Sequence, residues 1–294
     1  MKKQILLYPG DGIGPELFEA LRIFFDVSQS FIEFKYIFDL KEIHSIKEPY
    51  YLLCGPLSKE HNITGLINRN EWYGLSIVPL KKSKPGSLSS ARILALPSNE
   101  ITGSISGLKD FNMVSPFFSK DQEIILVHTY REQADKWATT FRDWSKLTFA
   151  SSDFRFEDCN FYSFVRQGVY KRTAQIITSS DIEQILTGIY VSFNDSLVRS
   201  HKLFIHGKST IAMPVHGHAP DIVGMGIANP YAIIMAFFSL LSEIGYTEIS
   251  QNSVNQIERM LFEQPEYSTP DQNGILNTEK YIAMIVECIN LQAE

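Results

Sequence analysis

The segment that most constrains the fold of this chain is residues 215–230, a glycine-rich polar loop that reads Val-His-Gly-His-Ala-Pro-Asp-Ile-Val-Gly-Met-Gly-Ile-Ala-Asn-Pro. An almost wholly apolar stretch, residues 231–241, follows it directly. Asn is a strong N-cap and Pro is favoured in the first helical turn, so Asn229-Pro230 predicts the start of a buried helix. A loop that delivers backbone N–H groups to a helix start suits a phosphate, and Asp221 can accept a hydrogen bond from a ribose hydroxyl.

This loop closely resembles the adenosine-binding loop of the isocitrate/isopropylmalate dehydrogenase family, which reads H-G-S-A-P-D-I-A-G-K-G-I-A-N-P. The Asp221 carboxylate would repel a 2′-phosphate, which favours NAD over NADP. Without the resemblance, the segment is equally well explained as a surface loop before a core helix, with Asp221 capping or stabilising it. The resemblance implies a site for NAD or another adenine nucleotide formed by His216, Gly217, His218, Ala219, Pro220, Asp221, Ile222, Asn229 and Asp271.

The N-terminus carries a second glycine-rich turn between a predicted strand and a predicted helix. Residues 4–8 form a short, mainly apolar run, and residues 9–16 read Pro-Gly-Asp-Gly-Ile-Gly-Pro-Glu. Apolar side chains then recur at helical spacing over residues 17–25. The glycines follow G-x-G-x-G and not the Rossmann fingerprint, so from the residues alone the turn is either a ligand loop or a plain tight turn. Members of the resembled family usually begin with P-G-D-G-I-G-P-E.

The pattern along the chain predicts an α/β fold with a largely parallel sheet, because short apolar strands alternate with amphipathic helices. The resemblance implies two subdomains around a cleft, one from residues 1–97 with 195–294 and the other from residues 98–194. We expect residues 4–8 and the segment before His216 to share one sheet, with Gly10–Gly14 and Gly217–Asp221 lining one cleft. The further predicted strands are 31–38, 50–54, 124–127 and 175–178, and the predicted helices are 133–144, 181–190, 230–244, 253–263 and 278–291.

Composition excludes several classes of protein. The net charge is −6 with both signs spread along the chain, and no basic block suggests nucleic acid. The most apolar segment, residues 231–241, is too short to span a bilayer. Residues 1–3 lead directly into a predicted strand, and this N-terminus lacks the apolar core of a signal peptide, so we expect a cytoplasmic protein. The three cysteines lie far apart without C-x-x-C spacing and are predicted to be buried thiols in a reducing compartment.

The resembled family holds a divalent metal with three Asp side chains, two of them in the pattern T-G-N-x-F-G-D-x-L-S-D. Counted back from His216 without a gap, this pattern falls on residues 178–188 and places Gln184 and Gly188 where the family has carboxylates. The third carboxylate becomes Asn160. Asp181 and Glu183 lie near, but we expect neither on the helix face of Gln184 and Gly188. Two amides and a hydrogen atom replace three anions, so Mg²⁺ or Mn²⁺ is not expected.

The catalytic and substrate groups of the resembled family are also replaced. The place comparable to the catalytic Lys is Val127-His128-Thr129-Tyr130, which leaves His128 and Tyr130 as candidate catalytic groups together with Lys81. A partly buried structural histidine is the alternative for His128, and a solvated turn is the alternative for Lys81. For the substrate, the family's arginines match Lys81 and, with one residue of slippage, Arg92, while another alignment adds Arg131.

Three functions follow from these residues. The first is a divergent family member that keeps the nucleotide loop, has lost metal-dependent oxidative decarboxylation and acts as a nucleotide-binding pseudoenzyme, with a small carboxylate as a second ligand. The second is an active NAD-dependent hydroxy-acid dehydrogenase with altered catalytic groups. The third is a structural or partner-binding protein. The resemblance also implies a homodimer, here through the apolar stripe Ile182, Ile185, Leu186 and Ile189.

Overall fold

The computed structural model describes residues 2–46, 49–58, 63, 67, 71–80, 90–96, 123–128, 156–171 and 175–289. The strands in these ranges are β1 (Lys3–Tyr8), β2 (Ile32–Tyr36), β3 (Tyr51–Cys54), β4 (Tyr73–Pro79), β5 (Ser90–Leu96), β6 (Ile124–His128), β7 (Phe156–Asn160), β8 (Gln175–Ser179), β9 (His201–His206) and β10 (Ser209–Pro214). The α-helices are α1 (Gly14–Ala20), α2 (Arg22–Ser28), α3 (Phe161–Arg166), α4 (Ser180–Asn194), α5 (Tyr231–Glu243), α6 (Thr247–Glu263) and α7 (Thr278–Cys288).

The ten strands form one sheet in the order β2-β1-β3-β10-β9-β4-β5-β8-β6-β7. Six of the neighbouring pairs are parallel, and the antiparallel pairs β10–β9, β9–β4 and β4–β5 adjoin one another in the middle. The predicted α/β fold with a mostly parallel sheet is therefore confirmed. The expectation that residues 4–8 share a sheet with the segment before His216 is also confirmed, because β3 pairs in parallel with both β1 and β10.

The hairpin of β9 and β10 was not predicted, although its turn carries a recognisable signal. Ser209 pairs with His206 across the two-residue loop Gly207-Lys208, and Gly207 has a φ of +56°. A two-residue loop that begins with Gly is typical of β-hairpins. The hairpin positions residues 215–230 (the nucleotide-type loop), because β10 ends at Pro214, directly before them.

The predicted helix after the loop is confirmed as α5, and its position in the core explains its composition. Ten of its thirteen residues are buried, because the helix packs against β10 and β9 on one side and against α6 on another. Asn229 accepts a hydrogen bond from the backbone N–H of Tyr231 at 2.9 Å, which stabilises the helix start as the Asn-Pro pair predicts. The other predicted helix ends shift: α6 begins at Thr247, and a turn at Leu21 separates α1 from α2.

The sheet runs without interruption across the predicted boundaries between the subdomains. β5 lies before residue 97 and pairs in parallel with β8, which lies in the predicted middle part. A separate hydrophobic cluster, which includes Phe164, Leu186 and Tyr190, packs around β6, β7 and α4. The cluster also contains Val78, Ala91 and Ile93 of β4 and β5, so it extends across the predicted boundary. The division into two domains stays a prediction.

Two expectations on side-chain exposure need correction. The three cysteines form no disulfide, and Cys54 and Cys159 are buried as predicted, but Cys288 is exposed near the end of α7. The apolar stripe of α4 is also not a free surface, because Ile182 and Leu186 are buried in the chain's own core. Within the part of the chain that the structure describes, no helix is long and apolar enough to cross a membrane.

Candidate functional site

The two glycine-rich loops, far apart in sequence, lie directly against each other. The backbone N–H of Ile13 donates a hydrogen bond to the carbonyl oxygen of His218 at 3.0 Å, and a Cβ added at Gly12 would lie 1.9 Å from the same oxygen. The φ of Gly12 is +56°, a conformation that side chains disfavour. The first loop is also anchored at its base, since Ser58 donates its backbone N–H to the Asp11 carboxylate at 2.7 Å.

The nucleotide-type loop is held in shape mainly by its backbone and leaves its centre exposed. Residues 220–222 form one turn of 3₁₀ helix, preceded by Ala219 at a φ of +39°. The backbone N–H of Gly224 donates to the carboxylate of Glu16 at 2.8 Å, which ties the far side of the loop to α1. Asp221 is exposed to solvent, so its carboxylate is available to a ligand.

His216 is buried at the start of the loop. Its Nδ1 lies 3.0 Å from the Gly217 carbonyl oxygen, a contact in which the ring N–H donates. Burial lowers the pKa of His216, so the ring is neutral at physiological pH. Its Nε2 has no hydrogen-bond partner among the described residues, which leaves a polar atom unsatisfied inside the loop.

The start of α5 uses its own side chains to satisfy its first backbone group. Asn229 accepts from Tyr231 N–H and donates through Nδ2 to the Asp271 carboxylate at 3.3 Å, and Thr269 donates to the other oxygen of Asp271 at 2.5 Å. Asp271 therefore braces Asn229. The N–H of Tyr231 is thus not offered to a phosphate, and the exposed part of the loop lies before the helix, around Gly217 and Asp221.

A cavity of about 390 Å³ lies beside the loop, between α4 and the strands β4, β9 and β10. Gln184 and Gly188, the positions aligned with two metal carboxylates, both line this cavity. Glu183 lines it as well, from the buried side of α4, whereas Gln184 and Gly188 are exposed. The whole lining is Ile63, Ile67, Trp72, Gly74, Ser76, Ala95, Ser180, Glu183, Gln184, Thr187, Gly188, Val191, Leu197, Lys202, Phe204, Met213, Pro214 and Val215.

A buried ion pair forms the polar part of this cavity. Nζ of Lys202 lies 2.5 Å from Oε2 of Glu183, whose side chain is 1% exposed. The hydroxyl of Thr187 donates to Oε1 of Glu183 at 2.9 Å, and the hydroxyl of Ser76 donates to the same oxygen. Three donors from α4, β4 and β9 therefore fix one carboxylate. Neither Glu183 nor Lys202 was predicted as a site residue, because their pairing depends on the packing of α4 on the sheet.

The third position aligned with a metal carboxylate does not join this cavity. Asn160 is exposed at the end of β7, where its side-chain oxygen accepts from the backbone N–H of Tyr162 at 2.9 Å and caps α3. Gln184 and Gly188 offer one neutral amide oxygen between them, whereas Mg²⁺ is usually held by carboxylates. The donor set at these positions does not fit a Mg²⁺ or Mn²⁺ site of the family type.

The predicted substrate residue Arg92 faces a different cavity. Side chains alternate along a strand, so Arg92 on β5 points to the face of the sheet opposite Ala95, which lines the first cavity. On that opposite face, a cavity of about 160 Å³ is lined by Arg92, Arg199, His201 and Glu258 among other residues. The structure thus separates Arg92 from Gln184 and Gly188, and its role in substrate binding stays a prediction.

Burial shifts the pKa values of two titratable side chains that line this second cavity. Burial raises the pKa of Glu258 to about 7, with Arg199 and a hydrogen bond to Tyr231 acting in the opposite direction. Burial lowers the pKa of His201 to about 3, and its Nε2 lies 2.9 Å from the Ser239 hydroxyl.

The remaining candidates lie at or beyond the edge of the described residues. His128 is half-buried at the end of β6, where its catalytic role stays a prediction. Lys81, Tyr130 and Arg131 lie outside the described residues.

Part of this chain is similar in sequence to known dehydrogenases. Residues 195–285 match the sequence model of the family described as isocitrate/isopropylmalate dehydrogenase. The chain is 31% identical over 114 residues to an isocitrate/homoisocitrate dehydrogenase of Thermus thermophilus, which covers 39% of this chain and 34% of that protein. It is 30% identical over 106 residues to a 3-isopropylmalate dehydrogenase of Archaeoglobus fulgidus, which covers 36% and 32%. The similar segment thus spans about a third of the length of these relatives.

The likeness in three dimensions is more extensive than the likeness in sequence. The crystal structure of isocitrate dehydrogenase from Methylococcus capsulatus superposes on this chain with a TM-score of 0.71, over 99% of this chain and 100% of that one. The two sequences are 19% identical, so this match establishes the fold alone.

Proposed function

We propose that this chain, whose residues 195–285 match the sequence model of the isocitrate/isopropylmalate dehydrogenase family, binds an adenine nucleotide of the NAD type at residues 215–230. The observation that supports this most directly is the contact of Ile13 N–H with the His218 carbonyl. It holds the loop in one conformation while Asp221 stays exposed, so a ligand would meet a preorganised surface.

The proposal assigns Asp221 to the ribose hydroxyls and predicts discrimination against NADP. A carboxylate accepts hydrogen bonds from ribose hydroxyls but repels a phosphate in their place. His216 and Gly217 would lie beside the adenosine, and Asn229 and Asp271 would support the end of the loop from behind through their mutual hydrogen bond.

We further propose that this protein does not carry out the metal-dependent decarboxylation implied by the family resemblance. Asn160, Gln184 and Gly188 supply neutral groups where that chemistry needs anions to hold the metal. The Asn160 oxygen is in addition engaged by Tyr162 N–H. This part of the proposal rests on the chemistry of the donors and on their alignment with the family pattern.

Calorimetric titration tests nucleotide binding. NAD⁺, AMP and ADP should bind the wild-type protein, NADP⁺ should bind more weakly, and EDTA should not change any affinity. Asp221→Asn should weaken NAD⁺ binding by about tenfold, the value of a lost charge-assisted hydrogen bond, and should narrow the difference between NAD⁺ and NADP⁺. Asp195→Asn, at an exposed aspartate after α4, is the matched control and should leave affinity unchanged.

Two outcomes would replace this proposal with one of the other functions. No binding of any adenine nucleotide would favour a structural or partner-binding protein. Reduction of NAD⁺ with a panel of hydroxy acids would favour an active dehydrogenase, and variants of His128, Tyr130 and Lys81 would then identify its catalytic groups.

A further inference from the structure

The cavity beside the nucleotide-type loop contains a buried ion pair, Lys202 with Glu183, that lies outside the proposed nucleotide site. We propose that this cavity binds a small, uncharged and mainly apolar molecule, whose carbonyl oxygen accepts a hydrogen bond from Nζ of Lys202. The inference goes beyond the proposed function, because neither Lys202 nor Glu183 belongs to residues 215–230. The proposed nucleotide site and the proposed ligand of this cavity can therefore be tested separately, and either proposal can fail without the other.

Lys202 has hydrogen-bond donors to spare at the cavity wall. An ammonium group carries three N–H donors, and Nζ contacts one described acceptor, the carboxylate of Glu183. Nζ also lies 5.0 Å from the centre of the Phe204 ring, a cation–π contact that helps to hold it in place. The described residues offer no further partner for the remaining donors, and the Lys202 side chain lines the cavity.

Glu183 fixes the position of this ammonium and removes its net charge. Its carboxylate accepts hydrogen bonds from Ser76 and Thr187 as well as from Lys202. These three contacts fix the carboxylate beside the ammonium, so a ligand anion would have to compete with it for Lys202. The family pattern T-G-N-x-F-G-D-x-L-S-D has a glycine at the position of Glu183, so the carboxylate is a feature of this chain and not of the pattern.

The charge balance selects an uncharged ligand. Lys202 and Glu183 are the only charged residues among the described lining residues, and they neutralise each other. A carbonyl compound leaves the cavity neutral, whereas a carboxylate would leave one unpaired charge and a dicarboxylate two. Unpaired charges are expensive to place against apolar walls.

The walls and the volume select a small apolar body. Trp72, Ile63, Ile67, Val191 and Met213 all contribute apolar surface to the cavity. About 390 Å³ lies near the lower limit of the volumes found for small-molecule sites, so the ligand is compact.

The proposal can be tested with small molecules that share a cyclohexane ring and differ in charge. Cyclohexanone, cyclohexanecarboxylate and cyclohexanedicarboxylate share a compact apolar body and differ in the polar group. Saturation-transfer NMR titrations on the wild-type protein should give affinities in the order ketone, monocarboxylate, dicarboxylate.

The decisive variant removes both charges together. Lys202→Met alone leaves Glu183 buried without its cation and endangers folding, so the double variant Lys202→Met with Glu183→Gln is used. It should fold, as judged by its thermal transition, and lose at least about tenfold in cyclohexanone affinity, the value of a hydrogen bond from a charged donor. Lys208→Met, in the exposed turn between β9 and β10, is the matched control and should bind as wild type.

Three results would overturn the proposal: tighter binding of the dicarboxylate than of the ketone, an unchanged cyclohexanone affinity in the folded double variant, or no binding of cyclohexanone up to its solubility limit. Titration of NAD⁺ into the same variants separates this inference from the nucleotide site. The double variant should retain the NAD⁺ affinity of the wild-type protein.

Discussion

The backbone N–H of Ile13 donates a hydrogen bond to the carbonyl oxygen of His218, with 3.0 Å between nitrogen and oxygen. This bond joins the turn after the first strand to the loop before the most apolar helix. A hydrogen bond between two backbone segments does not depend on the type of side chain. It does require that no side-chain atom separates the two segments. Gly12 supplies that space, because any Cβ at this position would overlap the His218 oxygen.

Gly12→Ala should therefore destabilise the protein and displace the nucleotide-type loop. The positive φ alone costs about 1–2 kcal/mol for alanine, and the overlap adds to this cost. Gly207→Ala is a close control, since Gly207 has the same φ of +56° but open space around its Cβ position. Urea denaturation should give a larger loss for Gly12→Ala than for Gly207→Ala. Equal losses would mean that the contact with His218 contributes nothing.

Metal binding should appear only when carboxylates are restored. The wild-type protein should bind no detectable Mn²⁺ at millimolar concentration, whereas Gln184→Asp with Gly188→Asp should bind it measurably, because both positions line one cavity. The Cβ position of Gly188 has open space, so the second substitution fits sterically. Gln184→Asn with Gly188→Ala is the neutral control. Tight Mn²⁺ binding by the wild-type protein would contradict the alignment of these positions.

Stability should fall with rising pH through the titration of Glu258. Burial raises the pKa of this carboxyl from 4.5 to about 7, so the folded protein holds the proton more tightly than the unfolded chain does. The stabilisation is present below about pH 4.5 and is lost as the pH rises through 7. Glu258→Gln should flatten this part of the profile in urea titrations. Glu243, whose pKa burial also raises to about 7, contributes in the same window and should preserve part of the slope.

An exposed carboxylate on the same helix provides the control for this pH dependence. Glu248→Gln lies in the first turn of α6 and should leave the profile of the wild-type protein in place. A profile unchanged by Glu258→Gln would show that the carboxyl is solvated in the folded protein.

The predicted homodimer should depend on the exposed side chains of α4. Ile185 and Phe193 are 50% and 47% exposed and are eight positions apart on the helix, with the half-buried Ile189 between them. Residues at this spacing lie on one helix face. Ile185→Glu with Phe193→Glu should convert the dimer to a monomer in sedimentation experiments. Phe38→Glu, at an exposed aromatic residue outside α4, should not. A monomeric wild-type protein at micromolar concentration would contradict the dimer.

The local sequence determined those elements whose formation depends on a few neighbouring residues. The glycine turn at residues 9–14, the Asn229-Pro230 helix start and the apolar run of α5 each depend on neighbouring residues, and each was predicted where the structure has it. The hairpin of β9 and β10 belongs to the same class, since its Gly207-Lys208 turn was readable in the sequence and was missed. Backbone conformation and helix capping are local effects, so they need no knowledge of the fold.

Tertiary structure alone decided which side chains share a cavity. Glu183 and Lys202 pair because α4 packs against β4 and β5, and β9 lies beside β4 in the sheet. Arg92 faces away from Gln184 because of its register on β5. A shift of one residue in a strand moves every side chain to the other face of the sheet, so no local pattern settles the question. The burial of Ile182 and Leu186 was also decided by the tertiary structure. An apolar stripe on a helix can pack against the sheet of its own chain or against a partner, so the sequence pattern does not distinguish the two.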